Sequence, residues 1–140
     1  MVAEQETKSM SEGLTFQHDA FVSYSRRDKK FACSLERALE KYLPPKDLPL
    51  PRRHLDIFRD EQDFTGTAYY RSVEKHLNGS RKLIVICSPS ARASDFVNEE
   101  VDVFAQSRGV ENIVPLLLCC LECRPAKLNY GRLAPSWRNF

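Results

Sequence analysis

Four short apolar runs, Ala20 to Ser23 (AFVS), Leu55 to Phe58, Leu83 to Cys87 (LIVIC) and Asn112 to Leu118 (NIVPLLL), are separated by segments in which apolar residues recur at helical spacing. Nearly continuous apolar runs of strand length belong to strands buried on both faces, and parallel strands need crossover helices to cover them. Phe31, Leu35, Ala38, Leu39 and Tyr42 mark a first helix, with Asp28 as its N-cap and Pro44-Pro45 as its stop. Thr67 opens a second carrying Tyr70, Val73 and Leu77, and Gly79 closes it. Ser94 caps a third, from Asp95 to Ser107. Pro115 requires the last strand to lie at an edge or carry a bulge. The expected fold class is α/β: a central parallel sheet of four strands with helices on both faces.

With 140 residues the chain makes one domain, and 42% hydrophobic with 29% charged residues marks a soluble globular protein. A net charge of +2, with basic residues dispersed in pairs such as Arg26-Arg27 and Arg52-Arg53, gives no nucleic-acid footprint. The apolar runs fall far short of the ~20 residues that span a bilayer, and no signal-peptide core opens the chain, so no membrane insertion and a cytoplasmic location are expected. Five cysteines, an odd number, point to free thiols. Cys119, Cys120 and Cys123 lack a second Cys/His pair at zinc spacing, so no metal and no cofactor are expected. Residues 1–15 are polar and aperiodic and read as a disordered leader. The domain then spans 16–140 and turns irregular from about 119.

One residue breaks the amphipathic pattern. Wound at about 100° per residue, Phe96, Val97, Val101, Val103 and Phe104 share an arc, and Glu100 falls inside it. Glu99 joins Asp95, Asp102 and Gln106 on the opposite side, where a carboxylate is solvated. A carboxylate at an apolar surface must find partners, shift its pKa or serve a site. Ligands of parallel α/β sheets collect at the strands' C-terminal ends. Three polar loops converge there: Tyr24 to Asp28, Asp60 to Gly66, and Ser88 to Ser94. Gly66 suits a turn of positive φ or a close backbone approach, and Ser88 and Ser94 serve equally as ligand donors or as turn and cap residues. His18, His54 and His76 look scattered and receive no catalytic role. A dinucleotide-binding Rossmann unit is excluded because no G-x-G-x-x-G follows a strand, and a receiver domain because Cys87-Ser88-Pro89 stands where an aspartate should end the third strand.

The segments HDAFVSYSRRD (His18 to Asp28), DIFRDEQDFTGTAYYRSVEKHLNGSRKLIVICSPS (Asp56 to Ser90), SDFVNEEVDVF (Ser94 to Phe104) and NIVPLLL together resemble the Toll/interleukin-1 receptor (TIR) domain family, closest in pattern to its bacterial-type members. The resemblance implies the flavodoxin-like TIR fold. In the members that cleave NAD⁺ the catalytic glutamate lies four residues after an aromatic, the position of Glu100 here, with Phe96 where Trp is usual. It further implies that Tyr24, Ser25, Arg26 and Arg27 face the dinucleotide, with Ser88, Ser94 and Phe96 as further substrate contacts. Asp60, Glu61, Gln62, Asp63, Phe64, Thr65 and Gly66 correspond to the BB loop, which borders the site and makes TIR to TIR contacts. Residues 119–140 look too short and irregular to supply both the family's fifth strand and its last helix. The implied function is cleavage of NAD⁺, as substrate, to nicotinamide and ADP-ribose or its cyclic form, in immune or defence signalling. The alternative is a non-enzymatic module that assembles through homotypic TIR contacts.

Overall fold

The computed structural model describes residues 15–60 and 67–118. In chain order these form β1 (His18–Ser23), a 3-10 turn (Arg26–Asp28), α1 (Lys29–Lys41), β2 (Ile57–Arg59), α2 (Thr67–Asn78), β3 (Ser80–Cys87), a short α3 (Pro89–Arg92), α4 (Asp95–Arg108), a second 3-10 turn (Val110–Asn112) and β4 (Ile113–Leu117). All four apolar runs are strands, and every pairing in the sheet, ordered β2-β1-β3-β4, is parallel. Among the described residues β4 is an edge strand, which is where a strand tolerates Pro115. The leader up to residue 14, the loop residues 61–66 and everything from residue 119, including Cys119, Cys120 and Cys123, lie outside the described residues.

Strand alternation divides the core in two. Phe21, Leu83 and Val85 face α2 and α4, where Leu77, Val97, Val101 and Phe104 close over them. Ala20, Val22, Ile57 and Ile86 face the other way, against Ala32 and the partly buried Phe31, Leu35 and Leu39 of α1. Tyr42 does not continue the α1 stripe. It is the C-cap residue, in an extended conformation and 52% exposed, because the helix ends at Lys41 before the prolines.

The helix ends explain the connections. The Ser94 hydroxyl accepts the Val97 N–H at 3.4 Å, as expected of the α4 cap, and Ser88 does the same for Ala91 at 3.0 Å in α3. Gly109 at φ 87° lets the chain leave α4, a backbone that a β-carbon would strain. Asp28 departs from expectation. It sits at the start of α1 but makes no side-chain cap, because its carboxylate accepts the Ser88 hydroxyl at 2.5 Å instead and so ties the loop after β1 to the loop after β3. The strand β2 begins later than Leu55 and extends to Arg59, whose buried guanidinium is tolerated there because Glu36 of α1 accepts from its Nε at 2.6 Å.

Candidate active site around Glu100

The anomalous position in α4 is real. Val97, Val101 and Phe104 are buried at helical spacing, and Glu100 lies in the same stripe, one turn before Phe104. Its side chain crosses to the C-terminal end of β1, where the Ser23 hydroxyl donates to Oε2 at 2.5 Å. Among the described residues no lysine or arginine pairs with it. Burial pushes the Glu100 carboxyl up to about 7, the Ser23 hydroxyl pulls it down, and the negative charges of Asp60 and Glu99 add to the rise.

Ser23 is the partner that sequence reading missed. It ends an apolar run, which disguises it as a strand terminus, yet alternation puts it on the same face as Phe21, toward α2 and α4. A fully buried hydroxyl at a core-facing strand position was the available signal.

A cleft of about 160 Å³ opens between α2 and α4, lined by Tyr70, Val73, Glu74 and Leu77 on one side and Phe96, Glu99, Glu100 and Val103 on the other. Phe96 was expected on the apolar arc. It is instead 43% exposed at the cleft, in the first turn of α4. Glu99 is exposed as expected, yet it borders the same cleft as Glu100.

The other candidates are dispersed. Tyr24 packs on the α1 side of the sheet, and its hydroxyl donates to the Asp60 carbonyl at 2.6 Å and accepts from Arg59 at 3.3 Å. Burial pushes that phenol's pKa up, with the Arg59 hydrogen bond opposing. Ser25 is buried at the mouth of the turn bearing Arg26 and Arg27, which are both exposed. Ser88 and Ser94 are engaged as helix caps, and Ser88 also donates to Asp28. Of the loop from 60 to 66 only Asp60 falls within the described residues, and its charge reaches Glu100.

Two of the three histidines are not scattered. His54 stands apart with its Nδ1 2.7 Å from the Glu40 carbonyl, but His18 and His76 meet at 3.1 Å between Nε2 and Nδ1, and His18 Nδ1 lies 3.0 Å from Asp56, so the fold gathers two rings that lie 58 positions apart in sequence. They sit at the N-terminal end of β1, roughly 16 Å along the strand from Ser23, and take no part in the Glu100 site.

The family model for the TIR domain matches residues 20–139. The chain belongs to the TIR domain family. A curated relative, the NAD(+) hydrolase ApTIR of an Actinoplanes species, is 29% identical over 103 residues, which cover 72% of this chain and 14% of that protein. The chain therefore spans about one seventh of that relative's length. Two solved structures share the fold. The TIR domain of a Toll-related receptor of Hydra magnipapillata superimposes with a TM-score of 0.51 at 18% identity, covering 76% of this chain and 75% of that one. A metazoan TIR-STING receptor from C. gigas gives 0.60 at 20% identity, covering 89% and 36%. The four-stranded parallel sheet with helices is accordingly the flavodoxin-like arrangement of the TIR domain. Among the described residues no helix is long and apolar enough to cross a membrane, and no group of three or more potential metal ligands occurs.

Proposed function

We propose that this TIR domain hydrolyses NAD⁺ at the bond between nicotinamide and ribose, with Glu100 as the catalytic carboxylate. The observation that carries the reading is the Glu100 carboxyl itself: desolvated, held by one hydroxyl and bordering a cleft. The NAD(+) hydrolase activity in the name of the Actinoplanes relative supports the choice of substrate.

The chemistry needs little more. Nicotinamide is cationic on its ring nitrogen and departs neutral, so no acid has to protonate the leaving group, unlike an ordinary glycoside. As the C–N bond breaks, its electron pair leaves with the nicotinamide and the ribose becomes oxocarbenium-like. A fixed carboxylate beside it stabilises the developing charge, more strongly in a desolvated site than in water. Water then adds to the anomeric carbon and releases a proton, giving ADP-ribose. Ser23 has a positioning role, fixing the carboxylate rotamer and keeping its anion accessible near neutral pH.

One observation favours the second reading, a TIR module that works only through homotypic contacts. The cleft of about 160 Å³ is smaller than the ~300 Å³ at which ligand pockets usually begin. The two readings separate when purified protein, dilute and concentrated, is incubated with NAD⁺ and nicotinamide release is followed. Release by the wild type, lost in Glu100→Ala and retained in Glu99→Ala, is expected. Release undiminished in Glu100→Ala removes the catalytic assignment, and inactivity at every concentration, with self-association intact, favours the module.

A further inference from the structure

The cleft holds an aromatic pair that the glutamate alone does not explain. Tyr70, in the first turn of α2, and Phe96, in the first turn of α4, are 46% and 43% exposed, an uncommon position for two large rings. They come together across the cleft, with centroids 6.2 Å apart and planes inclined by 21°. Below them Val73, Leu77 and Val103 form an apolar wall, and Glu74 and Glu99 stand beside Glu100.

Aromatic faces carry negative electrostatic potential and attract cations, most strongly where water is displaced. Carboxylates bordering the same space add to that potential. Two near-parallel rings, an apolar wall and a border of acids complement one kind of ligand: a flat ring bearing positive charge. They give an uncharged ring less attraction and repel an anionic one.

We propose that Tyr70 is a specificity-determining residue which, with Phe96, holds the cationic pyridinium ring of the substrate by its π face, so that the cleft selects N-glycosides whose base is positively charged. The assignment of that ring to NAD⁺ rests on the function proposed above, whereas the selection for a cationic ring does not.

The charge movement during cleavage gives Tyr70 a kinetic signature. In the ground state the positive charge lies on the ring; in the transition state it has moved to the ribose and the ring is nearly neutral. The Tyr70 contact is therefore made in the ground state and weakens along the reaction, which is the reverse of Glu100. Loss of Tyr70 raises KM without lowering kcat, and loss of Glu100 lowers kcat.

The test uses the full chain and two probes that need no catalysis, the 1-methylnicotinamide cation and neutral nicotinamide, with binding followed by NMR titration. Wild type and Tyr70→Phe are expected to bind the cation roughly tenfold more tightly than the neutral ring, and Tyr70→Leu, which retains bulk without a π face, to lose the preference. Because Tyr70 is half-exposed, the variants are checked for unchanged melting temperature. In parallel, Tyr70→Leu is expected to raise KM for NAD⁺ about tenfold and to raise kcat severalfold, so that kcat/KM falls by much less than KM rises. Equal affinity for the two rings in wild type, no measurable binding of either, or an unchanged preference in Tyr70→Leu would overturn the proposal. NAD⁺ cleavage with those results leaves the hydrolase reading standing. A Tyr70-dependent cation preference without cleavage removes that reading and keeps this one.

Discussion

The two faces of the sheet each carry a glutamate that reaches inward from a helix, and the two have opposite fates. On the α1 face Glu36 meets the guanidinium of Arg59, whose side chain is only 4% exposed, at 2.6 Å. That carboxylate is neutralised by a charge of opposite sign, and Tyr24 completes the cluster through Arg59. On the α4 face Glu100 receives a hydroxyl from Ser23 and two carboxylates, Asp60 and Glu99, as electrostatic neighbours. The first arrangement spends its charge on holding β2 to α1. The second leaves a carboxyl whose protonation is balanced near neutrality, beside a cleft. Burial of a carboxylate alone does not mark a reactive one; the absence of a compensating cation among the described residues does.

The largest effect expected from this contrast is on stability. Glu36→Ala takes from the buried Arg59 guanidinium the carboxylate that accepts its Nε and should cost about 3 kcal/mol in urea unfolding. A cost below about 1 kcal/mol would mean that the pair is no more than a surface bridge. The paired face should thus be sensitive to removal of its acid, and the α4 face should be relieved by it.

That relief has a defined pH window. The folded Glu100 pKa of about 7 lies above its ordinary 4.5, so the folded state holds the extra proton between those values. The stability that this proton contributes is fully present below about 4.5 and is lost as pH rises through 7. Glu100→Gln, which cannot ionise, should match wild type near pH 4.5 and exceed it above pH 7.5 by up to roughly 3 kcal/mol. A stability difference independent of pH would show that the carboxylate is not desolvated.

Two smaller effects grade the neighbours of Glu100. Ser23→Ala removes the donor that favours the anion and should move the acid limb of NAD⁺ cleavage upward by about one pH unit. An unmoved limb would deny Ser23 its positioning role. Glu99→Ala removes one repelling charge, so the limb should move downward by a few tenths of a unit, fading in high salt. A shift that survives salt would mean that Glu99 acts by direct contact and not through the field.

The architecture was legible because it follows from periodicity. Strand runs such as LIVIC, the helix cap at Ser94, the end of α2 before Gly79, and the edge placement required by Pro115 depend on local pattern and on the burial it enforces. Glu100 was legible for the same reason, as a violation of that pattern. The rest of the site depends on side chains that meet only in three dimensions. Ser23 looked like the end of a strand, and Tyr70 looked like one more residue of an apolar stripe until the helix placed it at a cleft. The His18–His76 contact and the Ser88–Asp28 bond join residues 58 and 60 positions apart, and no spacing rule connects them. Asp28 shows the converse failure, a residue with the right identity for a cap whose carboxylate found a stronger partner.

The central claim is that the ionised Glu100 carboxylate stabilises the cation formed when NAD⁺ is cleaved, and its most direct test is the pH dependence of nicotinamide release by wild type and Glu100→Gln. The wild-type rate should climb through a pH of about 7 as the carboxyl ionises. Glu100→Gln, equal in shape and without the charge, should be slower by about a thousandfold at pH 8.5, with the gap narrowing toward pH 5.5 as the wild-type carboxyl takes up its proton. A wild-type profile flat across that range, or a glutamine variant that retains wild-type rates, would contradict the account.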